Sequence, residues 1–370
     1  MPNKPLTGNK GEWNEIYVLF RLLGDGKIYA ADENLQRMGD TYLPIIKIIR
    51  EENAGEICEY FTGKQVKICV NGEKKISLPA ARFTQNADFL FSQLQDKAIS
   101  EQKGSFALEQ TELFMNKVLV HKIKAPSIAL NQQFGGKADI TMEVEDSKTG
   151  IHTETAFSIK ADFASPASLG NASQATNFIF QVHGINDEQM EICNAIDTKH
   201  KVQERMKYLK SQGASITYIK PYRKKCHENL LIVSSDMPEI IGHALYYYYW
   251  EGVAPYQAMA KKLAQENPLG YPNPNVIYEK RLKDFLYDCF SGLNLGRDWN
   301  GSHDVSGGYI VVTDNGEVLA YHTYIQDAFR QFLLDHCKFD KGGTKKHQFG
   351  KIYKEDGNYY IKLNLQIRFQ

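Results

Sequence analysis

Several signals that would assign a protein at once are missing from this sequence of 370 residues. No run approaches about 20 apolar residues, the length of a membrane-spanning helix, and the opening MPNKPLTGNKGEW has no apolar signal core. The six cysteines form no Cys-x-x-Cys pair, which argues against a zinc cluster or a redox motif. Scattered cysteines suit a reducing compartment. We therefore expect a cytoplasmic protein without a membrane partner.

Motifs of other hydrolases are absent as well. The sequence has no Gly-x-x-x-x-Gly-Lys-Ser/Thr loop, so ATP-driven translocation is not indicated, and no Gly-x-Ser-x-Gly nucleophile elbow. His303, Asp304 and His322 are candidates for a histidine-based metal site, yet neither histidine has a second one at helical or finger spacing. A single histidine in a strand-like segment, as at His322, is more often structural.

The net charge gives no global sign of a polyanionic partner, because 44 basic residues balance 44 acidic ones. A DNA-binding protein of this composition needs its positive charges to be segregated. Locally they are: residues 197–225 hold nine lysines or arginines against two acids, and residues 338–354 hold six against one. Either cluster is also compatible with an ordinary solvated face.

The most informative segment is a predicted β-hairpin at residues 137–161. Its first strand alternates apolar with polar residues at a period of two, and turn-forming residues follow it. With the turn centred between residues 148 and 149, position i opposes position 297 − i. This register places Asp139 opposite Ser158 and leaves Lys160 one pleat further along the same face.

A carboxylate beside a lysine on a hairpin suits metal-dependent hydrolysis of a phosphodiester, so we call residues 137–161 the catalytic hairpin after this predicted role. Asp139 offers one oxygen ligand for Mg²⁺, the backbone carbonyl of Ile159 offers a second, and Lys160 offers a cation for the attacking water or the phosphoryl charge. The arrangement resembles the core of the PD-(D/E)XK nucleases, in which a second acid occupies the position of Ser158. Serine is a poor ligand, so the site needs another acid.

The best candidates for that acid lie on a predicted helix at residues 9–23. Glu12 and Glu15 are one turn apart on this helix and so can point toward the same site. The alternative is that both merely favour the positive end of the helix dipole, with Glu12 also closing a capping box with Asn9. Glu143 is a weaker rival, because it lies roughly 13 Å along the strand from Asp139.

The rest of the chain is predicted from its periodicity. The first 120 or so residues are expected to be mainly helical, including YLPIIKIIREE at 42–52, with short strand-like pieces at 56–78. Residues 213–220 and 228–235 are expected to be further strands of the core sheet.

A proline-rich loop at 268–274 marks the expected domain boundary. Residues 1–267 would form the nuclease core, and residues 268–370 a C-terminal α+β region for DNA recognition. In that region, hairpins are expected to turn at 314–316 and 356–358.

Two polar segments are candidates for DNA contact. The loop at 164–177 carries side chains suited to phosphates or base edges: Asn171, Ser173, Gln174, Thr176 and Asn177. The segment at 341–350, the leading candidate for recognition, joins a glycine pair to groups that can read bases in a groove: Lys345, Lys346, His347 and Gln348. For the first segment, a helix-capping loop is an equally good interpretation.

Several blocks of the sequence resemble the HpaII family of type II restriction endonucleases. They follow one another in order over nearly the whole chain, and they include GNKGEWNEIYVLF at 8–20, AFSIKADFASPASLGNASQATNF at 156–178 and HQFGKIYKEDGNYYIKLNLQIRF at 347–369. The resemblance implies a bacterial, Mg²⁺-dependent enzyme that cleaves double-stranded DNA at a short palindrome (CCGG in the type member) and is paired with a cognate DNA methyltransferase. It also implies that Asp139 binds the metal, that Lys160 is the catalytic lysine, and that Ser158 is the family's own replacement for the usual acid.

We therefore predict an α/β protein of mixed α+β type, with a PD-(D/E)XK restriction-endonuclease-like core sheet flanked by helices. Glu15 is favoured over Glu12 as the second acid. Cleavage of both strands needs two active sites, which implies a homodimer or two successive nicks by a monomer. Two alternatives stay open: a structure-directed nuclease of repair or recombination, and a noncatalytic DNA-binding module that has lost its metal site, as Ser158 suggests.

Overall fold

The computed structural model describes residues 5–32, 34–96, 104–124, 138–146, 150–161, 168–303, 305, 307–322 and 326–369. The chain divides into two compact units. The first comprises Met1–Ser165 and His303–Phe329, and the second comprises Pro166–Ser302 and Arg330–Gln370. The boundary predicted at residues 267–268 lies inside the second unit, so the compact units follow a different division.

The strands in chain order are β1 Thr7–Gly8, β2 Lys27–Ala31, β3 Arg37–Asn53, β4 Glu56–Phe61, β5 Gln65–Val70, β6 Glu73–Pro79, β7 Phe106–Ala107, β8 Ile140–Glu145, β9 His152–Ala161, β10 Ser168–Gly170, β11 Asn177–His183, β12 Ser215–Pro221, β13 Gly308–Val312, β14 Val318–His322, β15 Cys337–Asp340, β16 Ile352–Glu355, β17 Asn358–Asn364 and β18 Gln366–Phe369. The helices are α1 Lys10–Asp25, α2 Ala80–Gln95, α3 Glu109–Lys117, α4 Asp187–Ala195, α5 Lys201–Ser211, α6 Lys224–Val233, α7 Met237–Tyr246, α8 Tyr256–Glu266, α9 Pro274–Ser291, α10 Gln326–His336 and α11 Thr344–His347. A 3₁₀ turn at Gln174–Thr176 and a π-helical turn at Tyr247–Glu251 complete them.

The first unit is built on a nine-stranded sheet in the order β2-β14-β13-β9-β8-β3-β4-β5-β6. Helix α1 packs against it, so that Trp13 and Phe20 share one core with Ile140, Phe157 and Ile310 of the sheet. Because the apolar stripe of α1 is fixed by this core, Glu15 on the same helix is held near the catalytic hairpin.

The segment at 42–52, predicted to be helical, is part of the 17-residue strand β3. Strand β2 also lies in the region expected to be mainly helical, whereas strands β4 to β6 confirm the strand-like pieces expected at 56–78. The helical prediction at 42–52 was wrong because a register shift between Ile45 and Lys47 interrupts the strand. The bulge leaves Ile45 and Ile48, three residues apart, buried together, and this spacing imitates that of a helix.

The second unit contains an antiparallel sheet of order β12-β11-β17-β16 and a three-stranded sheet of order β10-β18-β15. Helices α6 and α7 pack on one face of the four-stranded sheet. A Cβ on Gly242 of α7 would lie 2.5 Å from the ring of Tyr218 on β12, so only glycine allows this close approach. The four-stranded sheet therefore has one covered face.

Two strand predictions in this unit need correction. Residues 213–220 contribute β12, but to this separate sheet rather than to the sheet of the catalytic hairpin. Residues 228–235 lie largely in helix α6. The short apolar run at 230–233 has no period of its own, and it is the buried spacing of Cys226, Asn229 and Leu230 that reveals the helix.

The hairpin with its turn at 314–316 forms as predicted, but in the first unit. Strands β13 and β14 pair with each other, and β13 also runs parallel to β9 of the catalytic hairpin. The sequence predicts this hairpin in the C-terminal region only because its residues lie beyond position 268. Pairing between strands so far apart leaves no local signal, so only the folded chain reveals it. The second hairpin, turning at 356–358, forms between β16 and β17 in the second unit.

The mixed α+β class is confirmed by this combination of sheets and helices. Among the described residues, none of the helices is long and apolar enough to cross a membrane.

Candidate active site

The predicted register of the catalytic hairpin is confirmed. Strands β8 and β9 pair antiparallel, beginning with Ile140 opposite Phe157, and paired positions sum to 297 throughout. One step beyond this ladder, Asp139 lies opposite Ser158, and its N–H donates to the carbonyl of Phe157 at 2.8 Å. The turn itself, at 147–149, lies outside the described residues.

The Asp139 carboxylate is held by the strand that it faces. The Ser158 hydroxyl donates to Oδ2 of Asp139 at 3.0 Å, and the backbone N–H of Ile159 donates to the same oxygen at 2.8 Å. Beyond the end of β8, the side chain of Asp139 thus accepts the backbone hydrogen bond that a strand neighbour would otherwise accept from β9. Because an ionised carboxylate has about four acceptor positions, capacity remains for a cation. Ser158 therefore orients the acid that it stands beside.

Strand β9 is held on both sides. Opposite β8, strand β13 pairs with it in parallel, with Tyr309 beside Ser158 and Val311 beside Lys160. Lys160 is two residues beyond Ser158 on the same strand and so shares the face of Asp139. A lysine on an internal strand is positioned more accurately than one on a loop.

Helix α1 uses its two candidate acids differently. Glu12 closes the capping box: its Oε2 accepts the N–H of Asn9 at 2.8 Å, and its own N–H donates to Oδ1 of Asn9 at 3.0 Å. Glu15, one turn later, lies close enough to Asp139 and Lys160 for both to act on its ionisation. The geometry thus brings Glu15 to the hairpin, whereas Glu12 takes the capping role left open for it.

The environment of Glu15 strongly disfavours its charge. Burial first, and the Asp139 carboxylate second, raise the pKa of Glu15 to about 8, against the lowering effect of Lys124, Lys160 and Arg50. Two carboxylates this close are mutually unfavourable without a compensating cation. A divalent cation would relieve the repulsion between the Asp139 and Glu15 carboxylates, so the pair favours binding of such a cation.

A buried ion pair on β3, which the sequence does not predict, supports this region. The Arg50 Nε donates to Glu52 Oε1 at 2.6 Å, and Arg50 Nη2 donates to the carbonyl of Lys122 at 2.7 Å. Glu52 Oε2 accepts the backbone N–H groups of residues 121 and 122 at 2.7 and 3.1 Å. This clamp fixes the segment that carries Lys124. No local pattern indicates this ion pair, because residues 50 and 52 meet the backbone of residues 121 and 122 only in the folded chain.

The oxygen-rich donor set fits Mg²⁺. In the described parts of the chain, no group of three or more His, Cys, Asp or Glu side chains is arranged to hold a metal ion. Mg²⁺ binds proteins through one or two carboxylates and fills its other positions with carbonyls, waters and substrate phosphates. Asp139, Glu15 and the Ile159 carbonyl provide two carboxylates and one carbonyl, which is a ligand set of this kind.

The polar candidates of the 164–177 loop divide into two groups. Three are tied into the second unit, because Nδ2 of Asn364 donates to the Ser173 carbonyl at 2.8 Å, to Thr176 Oγ1 at 3.1 Å and to Asn177 Oδ1 at 2.7 Å. Ser173 also caps the 3₁₀ turn that follows it. These contacts favour the helix-capping interpretation for those three. Of the other two, Asn171 is exposed, and Gln174 is half-buried like Ser173.

The predicted recognition segment at 341–350 contains the short helix α11, which ends at Gln348 with φ +53°. Lys345 and Lys346 are exposed, and the carbonyl of His347 accepts a hydrogen bond from the second unit's β11. Lys345 and Gln348 line a depression of about 700 Å³. The role of this segment in reading bases stays a prediction.

The remaining candidates have structural partners. Oε2 of Glu143 lies 3.4 Å from Nζ of Lys47, so Glu143 forms an ion pair with Lys47 and not with the residues around Asp139. His322 on β14 is buried, and burial lowers its pKa to about 4 against the opposing effect of Asp146. Such a histidine stays neutral near pH 7, which fits a structural role. Asp304 lies outside the described residues.

Comparison with known proteins identifies the family of the chain. The profile of the HpaII restriction endonuclease family matches residues 9–369. The chain is 33% identical over 367 residues to the type II restriction enzyme HpaII of Haemophilus parainfluenzae, with 98% of each chain covered. No solved structure matches the chain significantly. The protein belongs to the HpaII restriction endonuclease family.

Proposed function

We propose that this protein is a type II restriction endonuclease that hydrolyses double-stranded DNA with Mg²⁺ at the catalytic hairpin. The observation that carries the proposal is the proximity of Asp139, Glu15 and Lys160 in a chain of this family. A hairpin that bears the acid and the lysine, together with a helix that bears a second acid, also supports a PD-(D/E)XK core. Strands β8 and β9 and helix α1 are its parts.

Asp139, Glu15 and the carbonyl of Ile159 would hold the cation. Once bound, Mg²⁺ supplies positive charge that lowers the pKa of the attacking water and neutralises the phosphoryl oxygens. Asp139 is already oriented by Ser158 and Ile159, so little reorganisation is needed at the moment of reaction.

Lys160 acts on the substrate side of the site. Its ammonium group orients the attacking water and donates hydrogen bonds to a phosphoryl oxygen as negative charge grows there. The water oxygen forms a bond to phosphorus and releases a proton to solvent, while the bond from phosphorus to the 3′ oxygen breaks. The leaving oxygen takes up a proton, and the products carry a 5′-phosphate and a 3′-hydroxyl.

The target and the partners follow from the family. We propose a short palindromic site, CCGG in the type member, and a cognate DNA methyltransferase that protects the host genome. Cutting both strands requires two active sites, supplied by a homodimer or by two successive nicks. We also propose that base recognition resides in the C-terminal residues 268–370, with Lys345, Lys346, His347 and Gln348 as candidate readers.

Cleavage of unmethylated phage DNA in the presence of Mg²⁺ tests the catalytic proposal. The wild type is compared with Lys160→Ala and with Lys67→Ala, which removes an exposed lysine from β5 of the same sheet. Discrete bands from wild type and Lys67→Ala, with intact DNA from Lys160→Ala, support it, and sequencing of the ends identifies the site.

Two results would contradict it. A smear of products would favour a structure-directed nuclease. Intact DNA in every lane, with duplex binding retained, would favour a noncatalytic DNA-binding module.

A further inference from the structure

One face of the four-stranded sheet in the second unit is not covered by α6 and α7. Along β11 and β17 the buried side chains alternate with a second set on the opposite face, where Ile179 pairs with Lys362 and Gln181 pairs with Tyr360. Tyr353 of β16 extends the same row beyond Tyr360. This face therefore presents lysine and tyrosine side chains together on a rigid sheet.

Two depressions of about 700 Å³ each adjoin one another on this face, because Tyr353 and Lys362 line both. One also reaches Lys345 and Lys351, and the other reaches Lys220. We call the two together the lysine–tyrosine trough. Nζ of Lys362 lies 4.2 Å from the ring centre of Tyr222 and 5.7 Å from that of Tyr353, so the aromatic rings hold this ammonium group in place.

Positive charge in the trough exceeds negative charge. Two of its lysines are already paired, Lys201 with Asp197 and Lys354 with Asp187. Four others form no ion pair with any carboxylate in the described part of the chain: Lys220, Lys345, Lys351 and Lys362. Glu355 is the remaining acid on the lining.

A buried arginine adds its positive charge to that of the lysines in the trough. Arg205, which also lines the trough, is 1% exposed. The hydrogen bonds that its guanidinium donates end on backbone carbonyls, those of Cys193 at 3.1 Å, Asn194 at 2.9 Å and Ile196 at 2.7 Å, together with Gly350. Carbonyl groups satisfy these donors, and the Asp197 carboxylate acts on the guanidinium without contacting it, so the positive charge of Arg205 adds to the potential of the trough.

We propose that the lysine–tyrosine trough binds the phosphate backbone of duplex DNA. The inference rests on the proposed function and assigns it a docking surface. Lysine ammonium groups act as point charges for phosphates, and such contacts fix the position of a protein on DNA without reading its sequence. The surface joins residues of β12, β16 and β17 to the 341–350 segment, which forms only one end of it.

The chosen variant is Lys345→Gln/Lys351→Gln/Lys362→Gln, with Lys261→Gln as the matched control. Lys261 is an exposed lysine of α8 in the same unit and does not line the trough. Fluorescence anisotropy with a labelled duplex, in buffer without divalent cations, gives Kd at several salt concentrations. Loss of three phosphate contacts should weaken binding by at least about 10-fold at low salt and reduce the slope of log K against log salt by about 2 to 3. The control should match the wild type.

A second measurement reports contact directly. Acetylation of lysines, read by mass spectrometry, should be slowed at Lys220, Lys345, Lys351 and Lys362 when duplex DNA is present, and unchanged at Lys261. Protection of these lysines by inorganic phosphate but not by the duplex would overturn the inference in favour of a small anion site.

The two proposals fail in different ways. If the triple variant binds DNA with the affinity and salt slope of a wild type that cleaves DNA, the trough is not the docking surface, and the endonuclease stands. If the wild type neither binds nor cleaves DNA, the proposed function fails, and the inference fails with it.

Discussion

Each unit of this protein buries an arginine, and the two are treated in opposite ways. Arg50 in the first unit is 6% exposed and donates to the fully buried carboxylate of Glu52 at 2.6 Å. Arg205 in the second unit is held by backbone carbonyls. The first unit, in which we propose that a carboxylate pair binds a cation, pairs its buried arginine with a carboxylate. The second, which we propose holds phosphates, retains the charge of its arginine.

The difference shows how one chain with zero net charge can serve a cation and a polyanion together. Pairing with Glu52 reduces the effect of Arg50 on the carboxylate pair, although Arg50 still lowers the pKa of Glu15 against burial and the Asp139 carboxylate. Leaving Arg205 without a contacting carboxylate makes the lysine–tyrosine trough more positive than its surface lysines alone would. The net charge does not reveal this segregation, because 44 basic and 44 acidic residues balance over the whole chain.

The largest expected effect concerns the buried ion pair. Arg50→Met should lower the free energy of unfolding by about 3–5 kcal/mol, because Glu52 is left charged, buried and without its partner. Arg50→Met/Glu52→Gln should recover at least half of that loss. Arg205→Met should cost about 1–3 kcal/mol through unsatisfied carbonyls, and Asp197→Asn should not rescue it, because Asp197 pairs with Lys201. Urea denaturation of these four variants beside the wild type measures the effects, and equal rescue in both units would break the comparison.

The next effect separates the two acids of helix α1. Glu15→Gln should reduce the cleavage rate by about 10²- to 10³-fold, the loss typical of one electrostatic group at a reacting centre. Glu12→Gln should leave cleavage within a few-fold of wild type, because Glu12 serves the capping box. Single-turnover cleavage of a supercoiled plasmid at saturating Mg²⁺ measures both. Equal losses would show that the helix, and not the Glu15 carboxylate, is what matters.

A smaller effect is a pH dependence of stability in the absence of metal. Between the ordinary value of 4.5 and about 8, the folded protein holds a proton on Glu15 that the unfolded chain has released. Stability should therefore fall as pH rises through this window, by at most about 1.4 kcal/mol per pH unit. Glu15→Gln should flatten the profile. Denaturant midpoints from pH 5 to pH 8 provide the measurement, and identical profiles would refute the raised pKa.

The smallest effect is expected at the serine that replaces the usual acid. Ser158→Ala removes one hydrogen bond to Asp139, worth about 0.5–1.5 kcal/mol, and leaves the Ile159 N–H in place. Cleavage should fall less than about 10-fold. A loss as large as that of Lys160→Ala would mean that Ser158 acts on the substrate itself.

How much was predictable depended on the distance between partners. The register of the catalytic hairpin followed from an alternating pattern and a short turn, both of which are local. Strand β3 was mistaken for a helix because one bulge changed the spacing of Ile45 and Ile48. The choice between Glu12 and Glu15 stayed open, because periodicity places both on one helix and says nothing about what lies opposite each.

Sequence by itself determined the pairing of Asp139 with Ser158, the diagonal position of Lys160, the capping box of α1 and, through its resemblance, the family. Only the tertiary structure decided that β13 lies beside β9, that Arg50 is neutralised by Glu52, and that lysines from β12, β16, β17 and α11 share one trough. The physical reason is that strand alternation and helix caps are set by neighbours a few residues away. Burial, parallel strand pairing and electrostatic potential are instead set by groups that meet only when the whole chain packs.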